Sequence, residues 1–144
     1  MTVLRLKEEH ISAVAEIERA CFSEPWSESA LRLLLGDTAL GFVALTKDGE
    51  VAAYVGMMTV ADEGQITNVV THPDYRRCGY GAAVLDELLN FAAQNRIKEI
   101  YLEVRRSNEA ARALYETRGF EYVGERKGFY RFPLEDALIM KKCI

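Results

Sequence analysis

A loop with two glycines two positions apart, Arg76-Arg77-Cys78-Gly79-Tyr80-Gly81, stands between a strand pattern and a helix pattern. Ahead of it, Gln65-Ile66-Thr67-Asn68-Val69-Val70-Thr71 is rich in β-branched residues and ends at His72-Pro73-Asp74, a turn signal. Behind it, Val84, Leu85, Leu88, Leu89 and Ala92 recur every three or four residues and predict a helix from about Gly79 to Asn95. Glu99-Ile100-Tyr101-Leu102-Glu103-Val104 then reads as a short strand. Strand, loop, helix and strand in that order over residues 65–104 form a parallel crossover, which is nearly always right-handed. A chain built round such a unit is α/β.

The flanks extend this pattern. Val3, Leu4 and Leu6 suggest a first strand, and Ile11, Val14, Ile17 and Cys21 fall at helical spacing in a segment starting near Glu8. Pro25 disfavours helical geometry at Glu24, so Phe22-Ser23-Glu24-Pro25-Trp26 breaks that helix. Ser27 is placed to cap a second helix running to about Leu35, with Trp26 and Leu31 at the two positions of a hydrophobic staple. Two apolar runs between Gly41 and Val60 flank Asp48-Gly49, the signal for a two-residue hairpin. Ser107 is placed to cap a helix carrying Ala111, Leu114 and Tyr115, which Gly119 stops at the C′ position. Phe120 to Glu125 and Ala137 to Lys142 read as closing strands, giving a mixed, strongly twisted sheet flanked by helices.

At 144 residues the expectation is one domain over 1–144, and 49% hydrophobic with 28% charged residues excludes a disordered chain. The 22 acidic and 18 basic side chains leave a net charge of −4 with no Lys/Arg block, which speaks against a nucleic-acid partner and suits an amine-bearing one. Cys21, Cys78 and Cys143 form neither a disulfide framework nor, lacking CxxC spacing and nearby His, a metal set. Met1 to Lys7 lacks the apolar run of a signal peptide, and no stretch nears the ~20 apolar residues of a membrane span. A cytoplasmic protein without metal or membrane association is expected.

A strand that passes through glycines into a helix gathers several backbone N–H groups at the positive end of the helix dipole, where phosphate binds. In Arg-x-x-Gly-x-Gly, Gly79 and Gly81 permit close backbone approach and Arg76 or Arg77 adds charge. By itself the pattern is equally consistent with a plain turn into a helix. A dinucleotide fingerprint needs a third glycine where Val84 stands, and the Gly-Lys-Ser/Thr of a P-loop is absent.

In this setting the loop resembles the pyrophosphate loop of the GNAT acetyltransferase superfamily, written Gln/Arg-x-x-Gly-x-Gly/Ala, and the resemblance covers nearly the whole chain. Within the family, Cys21-Phe22-Ser23-Glu24-Pro25-Trp26, Leu102-Glu103-Val104-Arg105 with Ser107-Asn108, Ala113-Leu114-Tyr115 with Gly119-Phe120, and Glu135-Asp136-Ala137-Leu138 resemble the RimI-type branch. The resemblance implies the GNAT acyl-CoA N-acyltransferase fold and acetyl-CoA as co-substrate. It implies that the backbone of Val69, Val70 and Thr71 pairs with the pantetheine arm, that Arg77, Cys78, Gly79, Tyr80, Gly81 and Ala82 hold the pyrophosphate, and that Asn108 meets the CoA arm. It also implies direct transfer to a protein N-terminus, that of an alanine-initiated ribosomal protein; a lysine side chain or small-molecule amine is the alternative acceptor.

Acetyl transfer to an amine needs a neutral amine, a site for the oxyanion and a proton for the departing thiolate. Glu103, near the C-terminal end of its strand, is the candidate base; read from its position alone it equally suits a salt bridge with Arg105 or Arg106. Tyr115, seven residues after Asn108 and so on the same helix face, is the candidate acid; read from spacing alone it is a core tyrosine beside Leu114. The resemblance favours the catalytic role for both and assigns the oxyanion to a backbone N–H, that of Val70. For the acceptor, the irregular segments Phe22 to Trp26 and Phe129 to Glu135 suggest groove loops, with Phe22, Trp26 and Tyr130 as contacts and Glu24 favouring a basic peptide; ordinary loop packing is the other reading. The branch often carries two tyrosines where this chain has Phe129-Tyr130, so one hydroxyl is missing. A covalent acetyl-enzyme on Cys78 is disfavoured, and His10 reads as a surface or helix-face residue.

Overall fold

The crossover over residues 65–104 lies at the middle of a seven-stranded sheet. A computed structural model describes residues 1–144, with strands β1 (Thr2–Arg5), β2 (Ala39–Leu45), β3 (Val51–Val60), β4 (Glu63–Thr71), β5 (Glu99–Arg105), β6 (Glu121–Arg131) and β7 (Leu134–Cys143). They are ordered β1-β2-β3-β4-β5-β7-β6, and only the β4–β5 pair is parallel. The helices are α1 (Ile11–Cys21), α2 (Glu28–Leu31), α3 (Tyr80–Gln94) and α4 (Glu109–Glu116); 3-10 turns precede α1 and follow α2.

Alternation along the strands sends neighbouring side chains to opposite faces, and each face has its own core. Phe42, Val55 and Met57 pack with Val84, Leu85 and Leu88 of α3 on one side. Val43, Tyr54 and Val70 pack with Ile11, Val14 and Ile17 of α1 and with Leu31 and Leu34 on the other. This is the α/β mixed sheet expected. Ser27 caps α2 by accepting from the Ala30 N–H at 3.1 Å, and Leu31 and Trp26 join the α1-side cluster.

Three local expectations change. The β2–β3 connection spans Thr46 to Glu50 rather than two residues, closed by Thr46 N–H to Glu50 O at 2.9 Å with Gly49 at φ 83°. The cap of α4 is Asn108, whose Oδ1 accepts from Ala111 N–H at 3.1 Å, not Ser107; Asn and Ser compete for this position on nearly equal terms. The closing strands are far longer than six residues, so Phe129 to Glu135 is the end of the β6–β7 hairpin, not an irregular loop. Irregular register between Arg126 and Tyr130 hid that strand from a period-two reading.

Candidate active site

β4 and β5 are hydrogen-bonded neighbours only from Glu63↔Glu99 to Gln65↔Tyr101, after which they separate. The cause is on β4: Met57 faces Ile66 and Gly56 faces Asn68, so Thr67 is an extra residue that bends the strand. β4 then pairs with β3 alone and leaves half its backbone groups unpaired on the β5 side. His72 N–H donates to Ala52 O at 2.7 Å, and directly opposite residues in an antiparallel ladder alternate between exchanging both bonds and exchanging none. Val70, two residues back and opposite Tyr54, is therefore committed to β3. The N–H and C=O groups of Val69 and Thr71 point into the gap. The expectation that Val70 supplies an oxyanion N–H is corrected on this ground, and so is any backbone role for it toward a ligand in the gap.

The loop beyond β4 has Arg77 at φ 64° and Gly79 at φ 85°, a left-handed geometry that turns successive N–H groups to one side. Gly79 caps α3 without a side chain, and the first intrahelical bond runs from Ala83 N–H to Gly79 O at 3.0 Å, leaving the N–H groups of Gly79, Tyr80, Gly81 and Ala82 without helical acceptors. Gly81 is required by contact: a Cβ there would lie 2.8 Å from Thr71 Oγ1. Arg76 and Arg77 are exposed beside this helix start, whose free N–H groups are of the kind that suits an anion. Cys78 is exposed with its Sγ on Arg76 O at 3.5 Å, and His72 Nδ1 is occupied by the Asp74 N–H at 3.0 Å, so no base addresses the thiol.

Where β4 and β5 part, a cleft of about 680 Å³ is walled by Phe22 and Trp26, Val69, Glu103, Asn108, Tyr115 and Tyr130. Residues 77–82 and Thr71 lie outside it. Neither Arg105 nor Arg106 pairs with Glu103: Arg105 engages Glu135 at 3.3 Å and the carbonyls of Pro133 and Phe132, while Arg106 engages Glu125. Glu103 Oε1 is 3.6 Å from Arg126 Nε, and its Oε2 is buried with no hydrogen-bond partner. A carboxylate oxygen in that state costs about 1–3 kcal/mol or more unless a donor meets it, and Glu103 stands in the cleft wall.

Tyr115 is set by the end of its helix. Phe120 N–H bonds Tyr115 O at 3.1 Å and Gly119 N–H bonds Glu116 O at 3.1 Å, with Gly119 at φ 89°, which is the Schellman arrangement expected of a C′ glycine. Its hydrophobic contact is Tyr115 on Phe120, ring centroids 5.7 Å apart. The ring is thus both core and cleft wall, 5% exposed. Burial, then the neighbouring Tyr130, raises the Tyr115 pKa well above the ordinary phenol value, so the hydroxyl stays a donor. Tyr130 is pushed up to about 12 by burial and by the negative charge of Glu103, partly offset by Arg105, whose guanidinium lies 4.3 Å from the ring centroid.

The two groove segments meet over the cleft: Ser23 Oγ donates to Phe132 O at 2.7 Å, and Glu24 pairs with Arg131 at 3.7 Å. Glu24, expected to favour a basic peptide, thus has Arg131 beside it in an exposed contact. His10 is buried rather than on the surface; Lys7 N–H donates to its Nδ1 at 3.0 Å, and burial lowers its pKa. Sequence reasoning missed Glu18, a wholly buried carboxylate bordering the cleft. Its signal was present, since Ile11, Val14, Ala15 and Glu18 share one helix face and a charge at a core position needs partners.

Residues 11–120 match the Acetyltransferase (GNAT) family. The chain is 36% identical over 141 residues to the [ribosomal protein bS18]-alanine N-acetyltransferase of Escherichia coli strain K12, covering 96% of this chain and 95% of that one. It is 34% identical over 128 residues to the protein of the same name from Haemophilus influenzae, 87% and 86% covered. The crystal structure of the Escherichia coli ribosomal-protein-S18-alanine N-acetyltransferase superposes with a TM-score of 0.91 at 35% identity over 99% of this chain and 93% of that one. Ard1 from Thermoplasma volcanium shares the fold at TM-score 0.86 and 19% identity. The chain belongs to the GNAT family and is an N-acetyltransferase that draws its acetyl group from acetyl-CoA.

Proposed function

We propose that this enzyme acetylates the N-terminal α-amine of a protein, and that its acceptor is a ribosomal protein beginning with alanine. The relatives named for that activity, matched along nearly their whole length, support the choice of acceptor. The observation that carries the chemistry is that Glu103, whose Oε2 is buried without a hydrogen-bond partner, stands in the wall of the cleft that Tyr115 also walls.

Acetyl-CoA supplies a thioester carbonyl. The residues fit it: Gly79 to Ala82 offer free N–H groups to a pyrophosphate, Arg77 and Arg76 add charge, and Val69 and Thr71 offer N–H and C=O groups to an amide-bearing arm along β4. Asn108, its Oδ1 spent on the helix cap, keeps Nδ2 as a donor at the cleft edge. Glu103 takes a proton from the α-ammonium, whose ordinary pKa of about 8 leaves it mostly charged at neutral pH. Val69, with its N–H in the gap and its place in the cleft wall, holds the oxyanion. Tyr115, kept protonated by burial, donates to the departing thiolate. Phe22, Trp26 and Tyr130 line the path of the incoming chain. An acceptor panel tests the proposal: an Ala-initiated peptide, the same peptide with its N-terminus blocked, a polyamine and an aminoglycoside. Turnover confined to the free α-amine is expected; rapid turnover of a small amine with none of the peptide contradicts it.

A further inference from the structure

Glu18 has no part in the chemistry above, yet it is wholly buried at the wall of the same cleft. Its Oε1 accepts from Trp26 N–H at 2.8 Å, which ties down the segment after α1. Its Oε2 accepts from the Tyr54 hydroxyl and from Asn68 Nδ2 at 2.9 Å. Three donors from three separate elements satisfy a charge that burial would otherwise make costly. The Tyr54 hydroxyl, which spends its proton on Glu18, lies 3.4 Å from the same Asn68 Nδ2.

The consequence falls on Asn68. Its Nδ2 has two acceptors, a carboxylate and a phenol oxygen, on one side. A flipped amide would set Oδ1 against both, oxygen to oxygen, so the orientation is fixed by charge. Oδ1 is then the end turned away from Glu18, no N–H or O–H of the chain donates to it, and Asn68 stands in the cleft wall next to Val69. An incoming primary amine brings several N–H donors to a cleft whose wall holds Glu103 together with Asn68.

We propose that Asn68 binds the acceptor amine through Oδ1, and that Glu18 is a positioning residue that acts through Asn68 by fixing which end of the amide faces the cleft. This rests on the cleft being the acceptor site. Glu18→Gln keeps the shape but places an NH2 group opposite Asn68. The amide then turns its oxygen toward that group and presents Nδ2, a donor, to an amine that needs an acceptor.

Steady-state kinetics on Asn68→Ala, Glu18→Gln and the double variant test this, with urea unfolding to confirm that each is folded. Asn68→Ala raises the peptide KM roughly tenfold, the effect of one lost hydrogen bond, and leaves the acetyl-CoA KM unchanged. Glu18→Gln does the same, and the double variant is no worse than Asn68→Ala, because the two act as one unit. Multiplying effects in the double variant, or a rise in the acetyl-CoA KM instead of the peptide KM, overturns the proposal. If Glu18→Gln does not fold, an unchanged peptide KM in Asn68→Ala overturns it and a raised one supports it. If the wild-type enzyme ignores the peptide and acetylates another amine, the α-amine reading fails by itself, and the same variants measured on that amine still decide the role of Asn68.

Discussion

Glu103 and Tyr115 differ in what their surroundings leave undone: the carboxylate lacks a partner for one buried oxygen, and the phenol is held neutral by burial. Glu103→Gln and Tyr115→Phe should each lower kcat by about 10²–10⁴-fold, the usual worth of general acid–base catalysis, with acetyl-CoA affinity preserved; isothermal titration beside turnover assays checks both halves. A phenolic acid must be protonated to act, and Tyr115 titrates above its ordinary value of about 10, so its alkaline loss of rate moves upward. The kcat profile should therefore stay flat from about pH 8 to about pH 10; a fall centred near pH 9 would remove Tyr115 from the role. Both residues were legible in the sequence as candidates, because strand-end and helix-face spacing place them. Which backbone N–H groups face the gap was not, because a one-residue bulge at Thr67 and the ladder register, neither encoded by residue type, decide between Val70 and its neighbours. Glu18 was legible in principle, as a charge on a buried helix face.

Elements were read where pattern and punctuation agree. The two-glycine loop into α3, the Ser27 cap and the Gly119 stop all follow from local conformational rules that tertiary packing leaves intact. Strand ends were read less well: β6 and β7 extend past the period-two signal because irregular pairing shifts which side chains face inward. The end of α4 is the element on which Tyr115 depends. Gly119→Ala forces an L side chain into φ 89° and brings its Cβ to within 2.8 Å of Lys142 Nζ, the movable end of a flexible chain. The left-handed backbone carries the penalty, roughly 1–2 kcal/mol. A matching fall in stability by urea unfolding is expected; an unchanged midpoint would mean that the Schellman turn does not fix the helix end.

At the scale of the molecule, the parting of β4 and β5 organises the rest. It frees the β4 backbone and opens the cleft at Glu103, and the start of α3, with its open N–H groups, follows the end of the same strand. The proposed donor loop, the candidate pair Glu103 and Tyr115 and the candidate acceptor groove thus lie around one interrupted ladder. The glycine loop proposed for the donor side was legible as a turn into a helix, whereas the candidate acceptor groove depends on how the Phe22–Trp26 segment and the β6–β7 hairpin meet, as in Ser23 on Phe132, which sequence spacing does not encode. The direct measurement is mass spectrometry of protein N-termini from cells with and without this enzyme. The account predicts that an alanine-initiated ribosomal protein loses its α-acetyl group when the enzyme is absent and regains it on incubation with enzyme and acetyl-CoA; ribosomal N-termini that are unchanged in both conditions would contradict it.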